Sequence, residues 1–304
     1  KAGFDPALGL FTSTPDGLLY PNPAAALRVD DAYALFEFLG AILAKVLYEG
    51  ILVELPLAPF FTSKLLGRTN TVAELPSLDR RLFDSLMFLK QYDGDLEALA
   101  LTFAVEQYTD ETLPAAARRT VALKPLGADI PVSAANRLEY VFLVAHYRLN
   151  TQMRRPCDTF LRGFSEVVPS SWVGMFSPSE LQLVLGGSDA PLDVDDWEAN
   201  TSYSGGYHAR HPVIMWLWTV LREYDATRRA ATLKFVTSCS RPPLLGFSYL
   251  QPGFCVHRAS DEEGRLPTAA TCMNLMKLPP YESLDILRER LTYAIEAGCG
   301  FELS

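Results

Sequence analysis

The chain has 304 residues, 49% of them hydrophobic and 21% charged, enough to bury a full core in one large domain or two ordinary ones and well outside the disordered class. A formal charge of −9, from 27 basic and 36 acidic residues, argues against a nucleic-acid partner, whose phosphates need Lys and Arg to neutralise them. No uncharged apolar run approaches the roughly 18 residues of a membrane helix, so no membrane partner is expected.

In chain order, the most apolar stretch, residues 32–61, is broken by Glu37, Lys45, Glu49 and Glu54 and reads as buried helix and strand. Within it Phe36, Leu39, Gly40, Leu43 and Leu47 recur at helical spacing, one apolar stripe of an amphipathic helix. Pro76-Ser77-Leu78-Asp79 opens a second helix carrying Leu82, Phe83, Leu86 and Leu89, with Gly94 punctuating its end. Leu99 to Phe103 is short and apolar and is expected to be a strand. Gly127 to Val132 reads as a turn leading into extended chain. A helix from about Asn136 then carries Tyr140, Leu143, Val144 and Tyr147 inward.

The clearest break in composition is Gly186-Gly187-Ser188-Asp189-Ala190-Pro191, a candidate hinge because two glycines free the backbone and polar residues keep it solvated. Asp189, Asp193, Asp195, Asp196 and Glu198 follow as a solvated helix start. Val213 to Leu221 is an apolar helix, and Leu233 to Phe247 carries a Pro242-Pro243 break. The alternation of Cys272-Met273-Asn274-Leu275-Met276-Lys277-Leu278 predicts a strand, which Pro279-Pro280 stops. Ser283 caps a last helix with Leu284, Leu287, Leu291, Ala294 and Ile295 on one face, ended by Gly298 and Gly300. The start at Lys1 instead of Met is expected of a fragment of a longer protein.

Most catalytic templates fail. There is no GxSxG elbow, no phosphate-binding GxxxxGK[ST] and no complete GxGxxG. His208 and His211 sit three apart, yet no carboxylate or cysteine lies at motif spacing from them, so neither a metal nor a cofactor is expected. Cys157, Cys239, Cys255, Cys272 and Cys299 are odd in number, irregularly spaced and free of any CxxC pair. They read as reduced thiols of a cytosol-like compartment, cytoplasmic or nuclear. Cys272 alone follows a run of small residues, Pro267-Thr268-Ala269-Ala270-Thr271, that can leave a side chain accessible at a loop tip. Local features leave two readings open: an inert packed cysteine, the commoner case, or an exposed nucleophile that works as its thiolate.

Leu266 to Leu275, then Leu278-Pro279 and the terminal Gly300-Phe301, resemble the catalytic end of HECT-type ubiquitin-protein ligases. Phe235 to Phe247 is similar to the segment that precedes it in that family. Tyr203-Ser204-Gly205-Gly206-Tyr207, Ile130-Pro131-Val132 with Asn136-Arg137, Lys45 to Gly50 and Ala2 to Pro6 are similar to further landmarks, so the likeness runs through the whole chain in order. The wording Thr-Cys-Met-Asn-Leu and Gly-Phe-Glu-Leu-Ser resembles the proteasome-associated subgroup.

The resemblance implies an α+β, bilobed architecture: a helix-rich N-lobe over 1–187, a hinge over 188–191 beside Gly186 and Gly187, and a smaller α/β C-lobe over 192–304. The N-lobe would dock a ubiquitin-charged conjugating enzyme through a subdomain at about 80–150, at Leu82, Ser85, Leu86, Leu99, Leu101 and Tyr140. The bland reading of those leucines is ordinary core. Cys272 would take ubiquitin by thioester exchange and pass it to a lysine of a substrate protein, with Thr271 orienting the carbonyl and Phe301 supporting lysine transfer. Ubiquitin, a conjugating enzyme, substrate proteins and the proteasome are the implied partners. Two positions depart from many family members: Ala270 where a His is common and Met273 where a Phe is. The alternatives are a pseudo-ligase that keeps the docking groove as a binding module, and a thiol hydrolase.

Overall fold

Phe36, Leu39, Gly40 and Leu43 are all buried on one face of helix α1 (Ala32–Tyr48), as their spacing predicts. The computed structural model describes residues 2–108, 113, 117, 119–259 and 265–297. Its chain forms two compact units, the first made of Lys1–Lys45 and Pro56–Leu181, the second of Val46–Leu55 and Gln182–Ser304. The divisions therefore fall inside helices and at a short return segment, whereas composition marks a single break at Gly186–Pro191.

In the first unit, β1 (Phe11–Ser13) and β2 (Leu19–Pro21) form an antiparallel hairpin next to α1. Helix α2 (Pro59–Leu65) starts on a proline, whose missing N–H is no loss in the first turn. Asp79 accepts from the Leu82 N–H at 2.9 Å and so caps α3 (Arg80–Gln91). The apolar stretch Leu99–Phe103 is extended only in its second half. It starts in a 3-10 turn that Ala100 ends in a left-handed conformation (φ 51°), and then Leu101 and Phe103 bond to Val132 and Ile130 about an antiparallel bridge between Thr102 and Pro131 before the strand β3 (Ala104–Glu106) begins. Its antiparallel partner is β4 (Thr120–Ala122). Helix α4 (Arg137–His146) opens where Asn136 predicts and passes through a π-turn towards α5 (Arg154–Val167) and α6 (Ser170–Val173).

Two glycines let α1 and α5 cross in contact. A Cβ on Gly40 would stand 2.0 Å from the Phe160 carbonyl oxygen, and one on Gly163 would stand 1.8 Å from that of Glu37. Above this crossing the rings of Phe4, Phe11, Phe36, Phe61 and Phe160 pack tilted or edge to face, with centroids 4.7–6.3 Å apart.

After Val46–Leu55, the second unit takes up the chain at Gln182 within α7 (Pro178–Gly186) and continues into α8 (Val194–Ala199), whose N-terminal N–H groups are capped by Asp193. A four-stranded sheet follows, of order β5-β6-β8-β7, made of β5 (Ser202–Ser204), β6 (Cys255–Arg258), β7 (Thr268–Ala270) and β8 (Leu275–Leu278). Strands β5, β6 and β8 run parallel, while β7 pairs antiparallel with β8. Helices α9 (Pro212–Glu223) and α10 (Ala226–Thr237) connect β5 to β6, and both pack on α11 (Leu284–Glu296), which Ser283 caps. The core centres on Trp197, stacked on Phe247 at 5.2 Å and met edge-on by Trp218 and Phe254. The protein is thus an α+β fold. No helix among the described residues is long and apolar enough to cross a membrane.

Candidate active site

Strands β7 and β8 pair Ala270 with Leu275, so residues 271–274 form the tip of a hairpin. The alternation that predicts a strand from Cys272 is correct only from Leu275 onward, with Met276 and Leu278 buried. Thr271–Met273 is instead a single 3-10 turn, ended by Asn274 in the left-handed region (φ 47°, ψ 41°). Asparagine tolerates that conformation better than most residues because its short side chain bonds locally. Here the Asn274 amide donates to the Pro252 carbonyl at 2.7 Å, and the Asn274 carbonyl accepts from the Cys255 N–H at 3.0 Å. Both bonds tie the hairpin tip to the chain entering β6. Asn274 is buried, while its neighbours Cys272 and Met273 are exposed.

Beside the Cys272 turn lies a cleft of about 50 Å³ between the tip, the end of α10 at Thr237, the Leu250–Pro252 loop, and Ile51 with Leu52. Ile51 and Leu52 belong to Val46–Leu55, which is far away in sequence but part of the same unit. Sequence reasoning missed them because nothing local links residue 51 to residue 272.

Burial separates the cysteines. Cys157 is fully buried, and burial pushes its thiol up to about 12, with the Lys64 ammonium pulling weakly the other way. Cys239 is buried and its thiol faces the Gly186 carbonyl at 3.4 Å. Cys255 is half-buried, 3.5 Å from the Ser204 hydroxyl. Cys272 is the exposed one among the described residues, on a turn held from beneath. Such a thiol can be approached by a large acyl donor and a large acceptor in succession, which is what covalent acyl transfer through sulfur requires.

The comparisons with known proteins agree with that chemistry. The family described as "HECT-domain (ubiquitin-transferase)" matches residues 1–304. The chain belongs to this family. It is 45% identical to the E3 ubiquitin-protein ligase UPL6 of Arabidopsis thaliana over 100% of its own length and 30% of that protein. To the human ubiquitin-protein ligase E3B it is 42% identical over 100% of the chain and 31% of the relative. To the E3 ubiquitin-protein ligase HUL5 of Saccharomyces cerevisiae it is 38% identical, over 99% and 32% respectively. The chain thus spans about a third of the length of these relatives, and it is a ubiquitin-transferase domain.

The positions expected to dock the conjugating enzyme in this HECT domain differ in exposure. Leu86 and Tyr140 are buried; Tyr140 meets the Phe103 ring edge-on at 5.5 Å, and burial raises the pKa of its hydroxyl. Leu82 is half-buried and lines a cleft of about 970 Å³ with Tyr20, Asp79 and Arg148. Ser85 is exposed and its hydroxyl donates to the Arg81 carbonyl. Leu99 is exposed and Leu101 half-buried. Large apolar side chains that sequence reasoning passed over stand in solvent on these elements: Phe88 on α3, Leu138 and Phe142 on α4. On α4, Tyr140, Val141 and Val144 fill the inner face, while Leu138 and Phe142, one turn apart, share the outer with Glu139 and His146.

Gly186 is the last residue of α7. Gly187 is left-handed (φ 87°), and a Cβ there would meet the Pro242 carbonyl at 2.6 Å, beside which Ser188 donates its N–H to that same oxygen. Of the two histidines three apart, His211 spends its Nδ1 accepting from the Val213 N–H at 3.3 Å as the cap of α9. Phe301, Cys299, Gly298 and Gly300 lie outside the described residues.

Proposed function

We propose that this domain accepts ubiquitin from a conjugating enzyme as a thioester on Cys272 and transfers it to a lysine of a substrate protein. The observation that carries the reading is the exposed thiol on the hairpin tip, beside three cysteines that are wholly or partly buried. In the first step the Cys272 thiolate attacks the carbonyl carbon of the incoming thioester. A new C–S bond forms, the old one breaks, and the conjugating enzyme's thiolate departs. In the second step a lysine ε-amine attacks the same carbon, an isopeptide bond forms, the Cys272 thiolate leaves, and the amine's proton passes to solvent. Exchange of one thioester for another is nearly balanced, so the domain's work is placing sulfur against carbonyl.

In this reading the Thr271 hydroxyl orients the carbonyl, and Phe301 in the tail supports the lysine step. The lobes fall at about 1–187 and 192–304, with the hinge at 188–191 beside Gly186 and Gly187. Docking of the conjugating enzyme uses the 80–150 region, and exposure favours Leu99, Phe88, Leu138 and Phe142 over the buried Leu86 and Tyr140 as contacts. The proteasome is a further proposed partner, and the cytoplasm or nucleus the proposed compartment.

The test is a mixture of the domain with ubiquitin, activating enzyme, conjugating enzyme and ATP, read on a non-reducing gel. A thiol-sensitive ubiquitin adduct should appear, vanish in Cys272→Ala, and survive Cys239→Ala and Cys157→Ala. An absent adduct across several conjugating enzymes overturns the reading in favour of a binding module.

A further inference from the structure

The outer face of the four-stranded sheet carries a second group of reactive side chains. Val256 on β6 is fully buried, and Tyr203 on β5 packs against the same apolar core. Side chains alternate across a strand, so Ser204, Cys255 and His257 project from the opposite face. The parallel register sets Ser204 beside His257, with Cys255 two residues earlier on the same strand. The Ser204 hydroxyl therefore stands between sulfur and ring, 3.5 Å from the Cys255 Sγ and 2.9 Å from the His257 Nδ1. Glycine at 205 lets that ring lie against the backbone, since a Cβ there would come within 2.8 Å of the His257 Cε1. The other ring nitrogen, Nε2, has no hydrogen-bond partner among the described residues, so it can carry the proton while Nδ1 accepts from Ser204.

We propose that Cys255 is a second nucleophilic thiol, a modification site for small hydroperoxides, with Ser204 and His257 relaying its proton. The site is separate from ubiquitin transfer and does not depend on the role of Cys272. A thiol attacks as its proton leaves, and a base within hydrogen-bond reach that is itself held in place makes a weak nucleophile effective. Here the Cys255 thiol donates to the Ser204 oxygen and the Ser204 hydroxyl donates to Nδ1, a continuous path for the proton off sulfur. Cys255 is half-buried, which favours an electrophile of a few atoms over a carbonyl borne on a protein. In the step, the Cys255 sulfur attacks one oxygen of hydrogen peroxide. An S–O bond forms, the O–O bond breaks, and sulfur gives two electrons to the peroxide, leaving a sulfenic acid. The thiol proton passes through Ser204 to His257, and the departing hydroxide takes up a proton from solvent to leave as water.

The experiment treats the 304-residue chain with hydrogen peroxide in the presence of dimedone, which traps sulfenic acids, and reads each cysteine peptide by mass spectrometry. Cys255 should be trapped in the wild type. Its rate should fall at least about tenfold in Ser204→Ala and in His257→Gln, the scale of general-base assistance. Ser204→Thr keeps the hydroxyl and should stay within about twofold of wild type. The Cys272 rate in the same samples should not move, because that thiol lies outside the relay. Buried Cys157 should stay untrapped throughout; if Ser204→Ala exposes it, the fold is lost in that variant and His257→Gln decides. Wild-type Cys255 left unmodified while Cys272 is trapped overturns the proposal. So does a His257→Gln rate within about twofold of wild type, or a fall at Cys272 in step with the fall at Cys255.

Discussion

Asn274 carries the hairpin tip in two separable ways, and replacing it twice measures each. Asn274→Ala removes the amide that donates to the Pro252 carbonyl at 2.7 Å and places an ordinary Cβ at φ 47°. The lost bond, which is partly buried, costs about 1 kcal/mol. The left-handed backbone costs an alanine a further ~1–2 kcal/mol that asparagine largely avoids. The sum is a destabilisation of about 2–3 kcal/mol. Asn274→Gly forfeits the same bond but adopts the left-handed conformation freely, so its loss should be about 1 kcal/mol. Urea unfolding of wild type and both variants gives the ranking directly. Single-turnover loading from a charged conjugating enzyme gives the functional side. A loosened tip misplaces the thiol, and misplacement of about 1 Å is worth up to ~10²-fold in rate. Loading should therefore fall more in Asn274→Ala than in Asn274→Gly. A glycine variant as unstable as the alanine variant, or an alanine variant within about 0.5 kcal/mol of wild type, would refute the assignment of Asn274 as the residue that sets the turn.

Two further outcomes concern the first unit. Burial raises the Cys157 thiol to about 12, so the unfolded chain, whose thiol titrates near 8.5, gives up its proton first as pH rises. The stability this thiol lends is complete below about pH 8 and is lost between about 8.5 and 12, at about 1.4 kcal/mol per pH unit. Urea curves of wild type and Cys157→Ala at pH 8 and pH 10 should therefore converge by about 2 kcal/mol, and parallel profiles would contradict it. Gly163→Ala should cost about 3 kcal/mol or more, because its Cβ would meet backbone at 1.8 Å where no side chain can swing away. Gly253→Ala, with no atom within 4 Å, is the neutral control, and a thermal melt that treats the two alike would deny the helix crossing.

What was legible in the sequence was whatever a single element decides. The stripe on α1, the Asp79 and Ser283 caps and the stop at Pro279-Pro280 all depend on residues within a few positions of one another, and each is where spacing places it. Leu99–Phe103 is extended only from Leu101 on, which its sequence does not mark, because a short apolar run has no period long enough to separate strand from turn; burial of Phe103 against Tyr140 is a tertiary fact. On α4 the period places Tyr140 and Val144 inward, where they are buried, but the exposed Leu138 and Phe142 share the outer side with Glu139 and His146, so no apolar stripe marks them in the sequence.

Cys272 shows how far a local signal reaches. A run of small residues before a cysteine marks an accessible thiol, and the 3-10 tip bears that out, yet accessibility alone describes an exposed cysteine of no function. The surroundings of this one are built from elsewhere: the Pro252 carbonyl that fixes Asn274, the end of α10 at Thr237, and Ile51 with Leu52 in the segment Val46–Leu55, some 220 positions upstream. Each contributor is ordinary in its own sequence context, which is why no motif centred on residue 272 could reveal the cleft and why only a likeness running through the whole chain singled out this cysteine. The same construction has a mechanistic merit. On the proposed reading Cys272 must stay open to two large partners in turn, so it cannot be buried. Rigid support beneath the turn holds it in place without closing the approach.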